Sequence, residues 1–271
     1  MVDFARTRQI ARDARISTVR ATHSGKTSHV GSSLSMIDIL SVLYVGAANI
    51  NVANLDDPDR DIVIVSKGHA AAGTYSILAQ VGILEPALLA GYSTDGTTLG
   101  GHVTSHGIPG VELSTGSLGH GLPFGVGRAM AAKRRGSPQR IFVLMSDGEC
   151  DEGTTWESAL IANHHQLDNL VVAVDRNGIQ SLAPTEDTLQ LEPFAAKWRA
   201  FGWRVLEVDG HDHEALAVAF ALDAEVTAPT VVICDTVKGK GVSFMENTVL
   251  WHYRSPGDDD LAAAVQELEH S

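Results

Sequence analysis

The stretch that decides the fold runs from residue 141 to residue 180. It opens with Ile141-Phe142-Val143-Leu144-Met145 and breaks at Ser146-Asp147-Gly148-Glu149. A helical stretch from Thr154 to Gln166 follows. Then Leu170-Val171-Val172-Ala173-Val174 leads into Asp175-Arg176-Asn177-Gly178-Ile179-Gln180. Both apolar runs are short, β-branched and not alternating, as expected of strands covered on both faces. One helix between two such strands makes a parallel unit, so both polar breaks emerge at the same, carboxyl edge of the sheet. That edge is where open α/β sheets bind ligands.

Asp147 and Asn177 would then face one another across a few ångströms. A carboxylate and an amide oxygen form an incomplete cage for a hard divalent cation. Mg²⁺ usually completes its octahedron with water and substrate phosphate oxygens, so a cation–diphosphate complex fits better than a bare ion. Gly148 would clear space for a phosphate, and Gly178 would allow the turn that aims the Ile179 carbonyl inward. Asp-Gly and Asn-Gly are also common turn pairs. Their placement at the ends of two apolar strands, thirty residues apart, is what raises them above turn chemistry.

Working outward, Ile62–Val65, Trp203–Val208 and Thr230–Cys234 read as further strands. Ala70–Val81, Leu122–Arg134, Pro193–Phe201 and His213–Glu225 read as helices. Another helix is expected near Ser35, where Ser35 and Asp38 have capping-box spacing. The alternation predicts a doubly wound α/β fold, mostly parallel, with helices on both faces, in a single domain over 1–271. Residues 257–271 read as a surface helix or tail. Between Gly91 and Gly127, 11 of the chain's 26 glycines fall among 37 residues that also hold His102, His106 and His120. Irregular segments of this length are usually functional or disordered, and the embedded histidines favour function.

The composition limits the partners. A net charge of −13, with 20 Lys and Arg against 33 Asp and Glu, argues against a broad nucleic-acid or anionic-membrane surface. No run approaches the ~20 apolar residues of a membrane span. Two cysteines form no disulfide framework, and the N-terminus lacks a signal peptide's apolar core, so a cytoplasmic location is expected.

The chain resembles the N-terminal, diphosphate-binding half of transketolase from about residue 5 to about 256. The resemblance is carried by Ser28-His29-Val30-Gly31, Ser66-Lys67-Gly68-His69, Gly101-His102 and Pro109-Gly110-Val111-Glu112, then Thr115-Gly116-Ser117-Leu118-Gly119. It continues through Asp147-Gly148-Glu149 with Glu152-Gly153, Asp175-Arg176-Asn177-Gly178, Val208-Asp209-Gly210-His211, Thr236-Val237-Lys238-Gly239-Lys240-Gly241 and Trp251-His252. The segment 146–177 is similar to the thiamine-diphosphate motif, with Ser146 in place of its first glycine. Gly116-Ser117-Leu118 stands where many members have Gly-Pro-Leu, and Tyr253 where glycine is common.

The resemblance implies thiamine diphosphate with Mg²⁺ or Ca²⁺, the metal held by Asp147, Asn177 and the Ile179 carbonyl. It implies cofactor contacts from His69, Gly116, Ser117, Leu118, Gly148, Glu149, Glu152, Asn177, Lys238 and His252. His29, His69, His102 and His252 are the expected catalytic groups around the thiazolium and the sugar. Glu152 is equally readable as a helix N-terminal acid favoured by the helix dipole, and Lys238 as an ordinary exposed lysine. His164, His165, His211 and His213 read as non-catalytic. The family's second domain, which binds the aminopyrimidine and carries its glutamate, has no counterpart here. The chain is therefore expected to act with a separate pyrimidine-binding subunit, as an α2β2 assembly transferring a two-carbon ketol unit between sugars or sugar phosphates. Other thiamine enzymes (a 2-oxo-acid dehydrogenase component, a deoxyxylulose-phosphate synthase-like protein) and a non-catalytic cofactor-binding subunit are the alternatives.

Overall fold

The computed structural model describes residues 2–222 and 225–270. Five parallel strands, β1 (Ile62–Val65), β2 (Ile141–Ser146), β3 (Leu170–Arg176), β4 (Arg204–Asp209) and β5 (Thr230–Asp235), form one sheet in the order β1-β2-β3-β5-β4. The chain crosses from β3 to the edge at β4 and returns to lay β5 between them. The helices are α1 (Phe4–Ser24), α2 (Val30–Ser35), α3 (Ile37–Val42), α4 (Ala71–Gln80), α5 (Gly121–Arg135) and α6 (Gly153–His164). After them come α7 (Thr185–Thr188), α8 (Phe194–Ala200), α9 (His213–Phe220), α10 (Leu250–Tyr253) and α11 (Asp258–Glu269). No described helix is long and apolar enough to cross a membrane.

Strand periodicity sorts the core into two layers. Val63, Val65, Phe142, Leu144, Val171, Ala173, Val232 and Cys234 point to one face, against α1, α3, α4 and α9. Ile62, Ile64, Ile141, Val143, Met145, Val172, Val174, Val231 and Ile233 point to the other, against α5, α6 and α8. Successive side chains of a strand face opposite ways, so an unbroken apolar run serves both layers. Each such side chain stabilises the fold by about 1.5–3 kcal/mol when fully buried. The edge strand β4 departs from this pattern and is only half-buried.

Two expectations change. Ser35 and Asp38 form no capping box: the Ser35 hydroxyl donates 2.5 Å to Asp175 Oδ2, and Asp38 is buried against Arg15, His211 and His213. Tertiary partners outcompete the local cap. Helix α9 stops at Phe220 because Ala221 turns extended and Leu222 packs back on the core; Asp223 and Ala224 of the expected helix lie outside the described residues. Of the surface helix or tail expected over 257–271, residues 258–269 form the helix. Ala264 and Leu268 of α11 are buried with Val19 of α1 and with Val242 and Met245.

The glycine-rich segment folds over the carboxyl edge of β1. Val103 N–H donates to Gly68 O, the Thr115 hydroxyl to Val65 O, and the Tyr75 hydroxyl to His102 O. Its last seven residues open α5, which lies directly on β2. A Cβ at Gly125 would sit 2.6 Å from Val143 Cγ2, whereas one at Gly127 would meet nothing within 4 Å. Gly127→Ala should therefore raise stability by up to about 1 kcal/mol through helix propensity. Gly125→Ala should lower it, since overpacking costs about 1–3 kcal/mol. Urea unfolding of both variants checks the opposite signs.

Candidate functional site

Four strand ends supply the site. Lys67 and His69 follow β1, Asp147 and Gly148 follow β2, Asn177 to Ser181 follow β3, and Lys238 follows β5. The register places Ser146 beside Asp175 and Asp175 beside Cys234, so these loops leave the sheet level with one another. Together with His29, Ser32, His102, Gly116, Leu118 and His252 they line a cleft of about 250 Å³.

At its base, Asp147 is 2% exposed. Its Oδ2 accepts from Gly178 N at 2.7 Å and its Oδ1 from Gly148 N at 2.8 Å. Gly178 has φ +73°, a conformation glycine adopts without steric cost, and that turn carries the Ile179 carbonyl to the cleft. There it accepts from Lys238 Nζ at 2.8 Å. Asn177 Oδ1 accepts from Ile179 N at 3.2 Å. Burial, and then the neighbouring Asp175 carboxylate, push Asp147 up to about 6. A buried carboxylate disfavoured in this way, beside an amide oxygen and a carbonyl, is a donor set that a divalent cation would relieve.

Beneath the cleft, Lys67 and Asp175 are fully buried and paired. Lys67 Nζ also donates to Ser32 O at 3.0 Å, and Asp175 accepts from Ser35 and Thr236. Burial opposes ionisation of Asp175, but the Lys67 charge and the hydrogen bonds from Lys67, Ser35 and Thr236 together outweigh it and hold the carboxyl below its usual range. Lys238 is 1% exposed, so the exposed-lysine reading is wrong. Burial, then the Lys67 charge, lowers it to about 8.

Above, the four imidazoles cluster. His29 lies 5.3 Å from His69, 5.8 Å from His102 and 4.9 Å from His252 between ring centroids, and His69 lies 5.8 Å from His252. His29 does not follow a strand. It precedes α2 in a left-handed conformation, φ +70°, with its N–H donating to His252 O. Burial first, and then His102 and the two lysines, lower His29 to about 4. Burial and then Lys238 lower His252 to about 3, and burial holds His69 well below its ordinary value. These three rings are neutral near pH 7. His252 Nδ1 faces the Lys238 ammonium at 3.1 Å and accepts from it, which leaves the ring proton on Nε2.

Other expected residues fall elsewhere. The Glu149 carboxyl turns into the protein, taking the Ser66 hydroxyl and Gly119 N, and burial raises its pKa. Glu152 is exposed at the start of α6, outside the cleft lining, and Ser117 is exposed between the lining residues Gly116 and Leu118. The space beside Gly148 is filled by Gln180, whose Cγ would lie 2.9 Å from a Cβ there. His164 and His165 are exposed on and beside α6, and His211 and His213 are tied to Asp38. Sequence reasoning missed Lys67, Ser32, Gln180 and Ser181 as lining residues. A lysine just after an all-buried strand, two residues before a motif histidine, was the available signal for Lys67.

Comparison with known proteins places this geometry. A family model described as the thiamine diphosphate binding domain of transketolase matches residues 6–271. The chain is 43% identical over 241 residues to an apulose-4-phosphate transketolase subunit of Actinobacillus succinogenes, covering 89% of this chain and 87% of that protein. It is 37% identical over 242 residues to a 6-deoxy-6-sulfo-D-fructose transketolase subunit of a Clostridium species, covering 89% and 88%. The solved transketolase of Campylobacter jejuni superposes with a TM-score of 0.90 at 28% identity, over 99% of this chain but 43% of that one. The chain thus spans less than half the length of that transketolase and nearly nine-tenths of the subunit relatives.

The neutral imidazoles set a pH dependence for the cofactor-free chain. With folded values near 4 for His29 and 3 for His252 against 6.5 unfolded, the unfolded chain binds more protons at mildly acidic pH. The histidines' contribution to stability should be fully present above pH 6.5 and fall as the pH drops toward 4. It is offset in part by Asp147, whose value, raised to about 6, acts in the opposite sense. His29→Asn should flatten that slope, as urea midpoints taken from pH 7 to pH 4.5 would reveal.

Proposed function

Because this chain belongs to the transketolase family, we propose that it is the diphosphate-binding subunit of a two-chain transketolase that moves a two-carbon ketol unit from a ketose to an aldose. The observation that carries this reading is the cleft itself, with four imidazoles above and oxygen donors and an ammonium group below. Asp147, Asn177 Oδ1 and the Ile179 carbonyl would hold Mg²⁺ or Ca²⁺, and Lys238 and His252 would meet the diphosphate. Bound thiamine diphosphate supplies a nucleophilic thiazolium carbon and an electron sink, which cleavage next to a ketose carbonyl requires.

The chain's own residues handle protons. A neutral imidazole can take the proton of a donor hydroxyl as the adjacent carbon–carbon bond breaks, and return one to the acceptor's carbonyl oxygen. His252, protonated at Nε2, is set to donate to an oxyanion. His29, whose Nδ1 lies 3.0 Å from the Ser28 hydroxyl, keeps Nε2 for the substrate. Four imidazoles suit a polyhydroxylated substrate, and the sugars in the relatives' names, apulose-4-phosphate and 6-deoxy-6-sulfo-D-fructose, favour a sugar carrying an anionic group.

Among the described residues, no carboxylate of this cleft is free to serve the aminopyrimidine: Asp147 faces the metal position, Asp175 is tied to Lys67, and Glu149 is committed inward. That group is assigned to a partner subunit, which the subunit names of the relatives favour, and the two chains are proposed to form an α2β2 assembly. The chain itself is one domain. Both cysteines are buried and unpaired, which suits a reducing, cytoplasmic setting.

Two measurements test this. Asp147→Ala should abolish thiamine-diphosphate binding while leaving circular dichroism unchanged; undiminished affinity by calorimetry would remove the metal assignment. The isolated chain should show almost no ketol transfer, and mixing with the partner subunit should restore it. In the mixture His69→Ala should cost ~10²–10⁴-fold in turnover, whereas His164→Ala should be silent. Full turnover by the chain alone would overturn the two-chain reading.

A further inference from the structure

The loop that delivers Lys238 to the cleft is braced from behind by a buried polar strut that touches no part of the cleft. His211 follows β4. Its Nε2 accepts the backbone N–H of Val237 at 2.9 Å, and its Nδ1 lies 2.6 Å from Asp38 Oδ2. An N–H pointing at Nε2 requires that nitrogen to be unprotonated, so the ring proton sits on Nδ1 and is donated to Asp38. Asp38 is 4% exposed on α3 and is itself held by Arg15 of α1, at 2.5 and 3.0 Å, and by His213 Nε2 at 3.0 Å. Burial opposes its charge, but Arg15 and the hydrogen bonds outweigh burial and keep the carboxyl well below its usual range.

Neighbouring residues of the loop are fixed on either side. Thr236 N–H donates to Arg176 O and its hydroxyl to Asp175; Gly239 N–H donates to Gly31 O. Val237 lies between, and its N–H has His211 as its partner. Lys238, one residue on, spans from this loop to Ile179 O and His252 Nδ1. An ammonium on a four-carbon stem has many rotamers, and its aim depends on where its Cα is held.

We propose that His211, oriented by Asp38, is a positioning residue that fixes the Val237–Lys238 backbone and so aims the Lys238 ammonium at the cleft. This rests on the reading that Lys238 meets the cofactor diphosphate. The alternative is that the Asp38 cluster merely stabilises the packing of α1, α3 and α9.

The test is a double-mutant cycle on the full chain. His211→Phe removes both ring nitrogens and keeps a ring; His211→Gln keeps an acceptor and a donor. If His211→Phe does not fold, His211→Asn replaces it, its amide being too short to span Asp38 and Val237. Amide exchange is followed at Val237 against β2 and β3, and thiamine-diphosphate affinity is measured by calorimetry with saturating Mg²⁺. The strut-breaking variant should exchange at least ~10-fold faster at Val237 with the strands unchanged, and should bind ~10-fold more weakly; His211→Gln should recover most of both. In a Lys238→Met background the same substitution should cost no further affinity. An equal loss in both backgrounds, or unaltered exchange and affinity, would overturn the proposal. Wild-type affinity in Lys238→Met alone would instead overturn the assignment of Lys238 to the cofactor, a result that is distinguishable because it does not involve His211.

Discussion

The ion pair between Lys67 and Asp175 is the constraint on which the rest of the site depends. Both groups are fully buried at adjoining strand ends, where neither charge is tolerable alone. Pairing them joins the end of β1 to the end of β3 across β2. The remaining hydrogen-bonding capacity then recruits Ser32 O and Ser35 from α2 and Thr236 from the loop after β5. Every segment that lines the lower cleft is thereby referenced to one point. Just before α2, His29 takes a left-handed conformation with its N–H bonded to His252 O and its ring turned toward the other imidazoles.

Electrostatically, the cleft is a stack of opposed charges. Burial and the nearby Lys67 lower Lys238, and burial and the nearby Asp175 make Asp147 resist ionisation. His29, His69 and His252 above are held neutral by their own burial and by the two ammonium groups. Such an arrangement is unfavourable by itself and becomes favourable with a ligand that is anionic where it meets Lys238 and includes a cation where it meets Asp147. A metal–diphosphate has that distribution. Groups held away from their ordinary ionisation in a cleft are a mark of function rather than of stability.

The same economy separates catalytic histidines from structural ones. His213 is as deeply placed as His252 and His211 nearly so, yet both are consumed by Asp38, one carboxylate serving a guanidinium and two rings. His252 instead faces a cation on one nitrogen and the cleft on the other. Burial alone does not distinguish them; the sign of the neighbouring charge does.

The sequence by itself determined the sheet and the position of the site along the chain. Unbroken runs such as Leu170 to Val174 have no exposed face to write, so they read as buried parallel strands, and the polar pairs that end them mark the carboxyl edge. The histidine motifs likewise named four rings without any knowledge of their separation. Only the tertiary structure decided which polar residues turn inward. Glu149 and Asp147 are two residues apart and chemically alike, but Ser66 and Gly119 N, both distant in sequence, take one carboxyl away from the cleft. Lys67 and Lys238 look like ordinary surface lysines until the strands beside them supply Asp175 and the Ile179 carbonyl. Ser35 and Asp38 have the spacing of a helix cap and were diverted to long-range partners. Local pattern fixes where a backbone runs, because hydrogen-bonding geometry and side-chain period are local. The direction and ionisation of a buried polar group are set by partners brought from other elements, and one sequence window does not contain them.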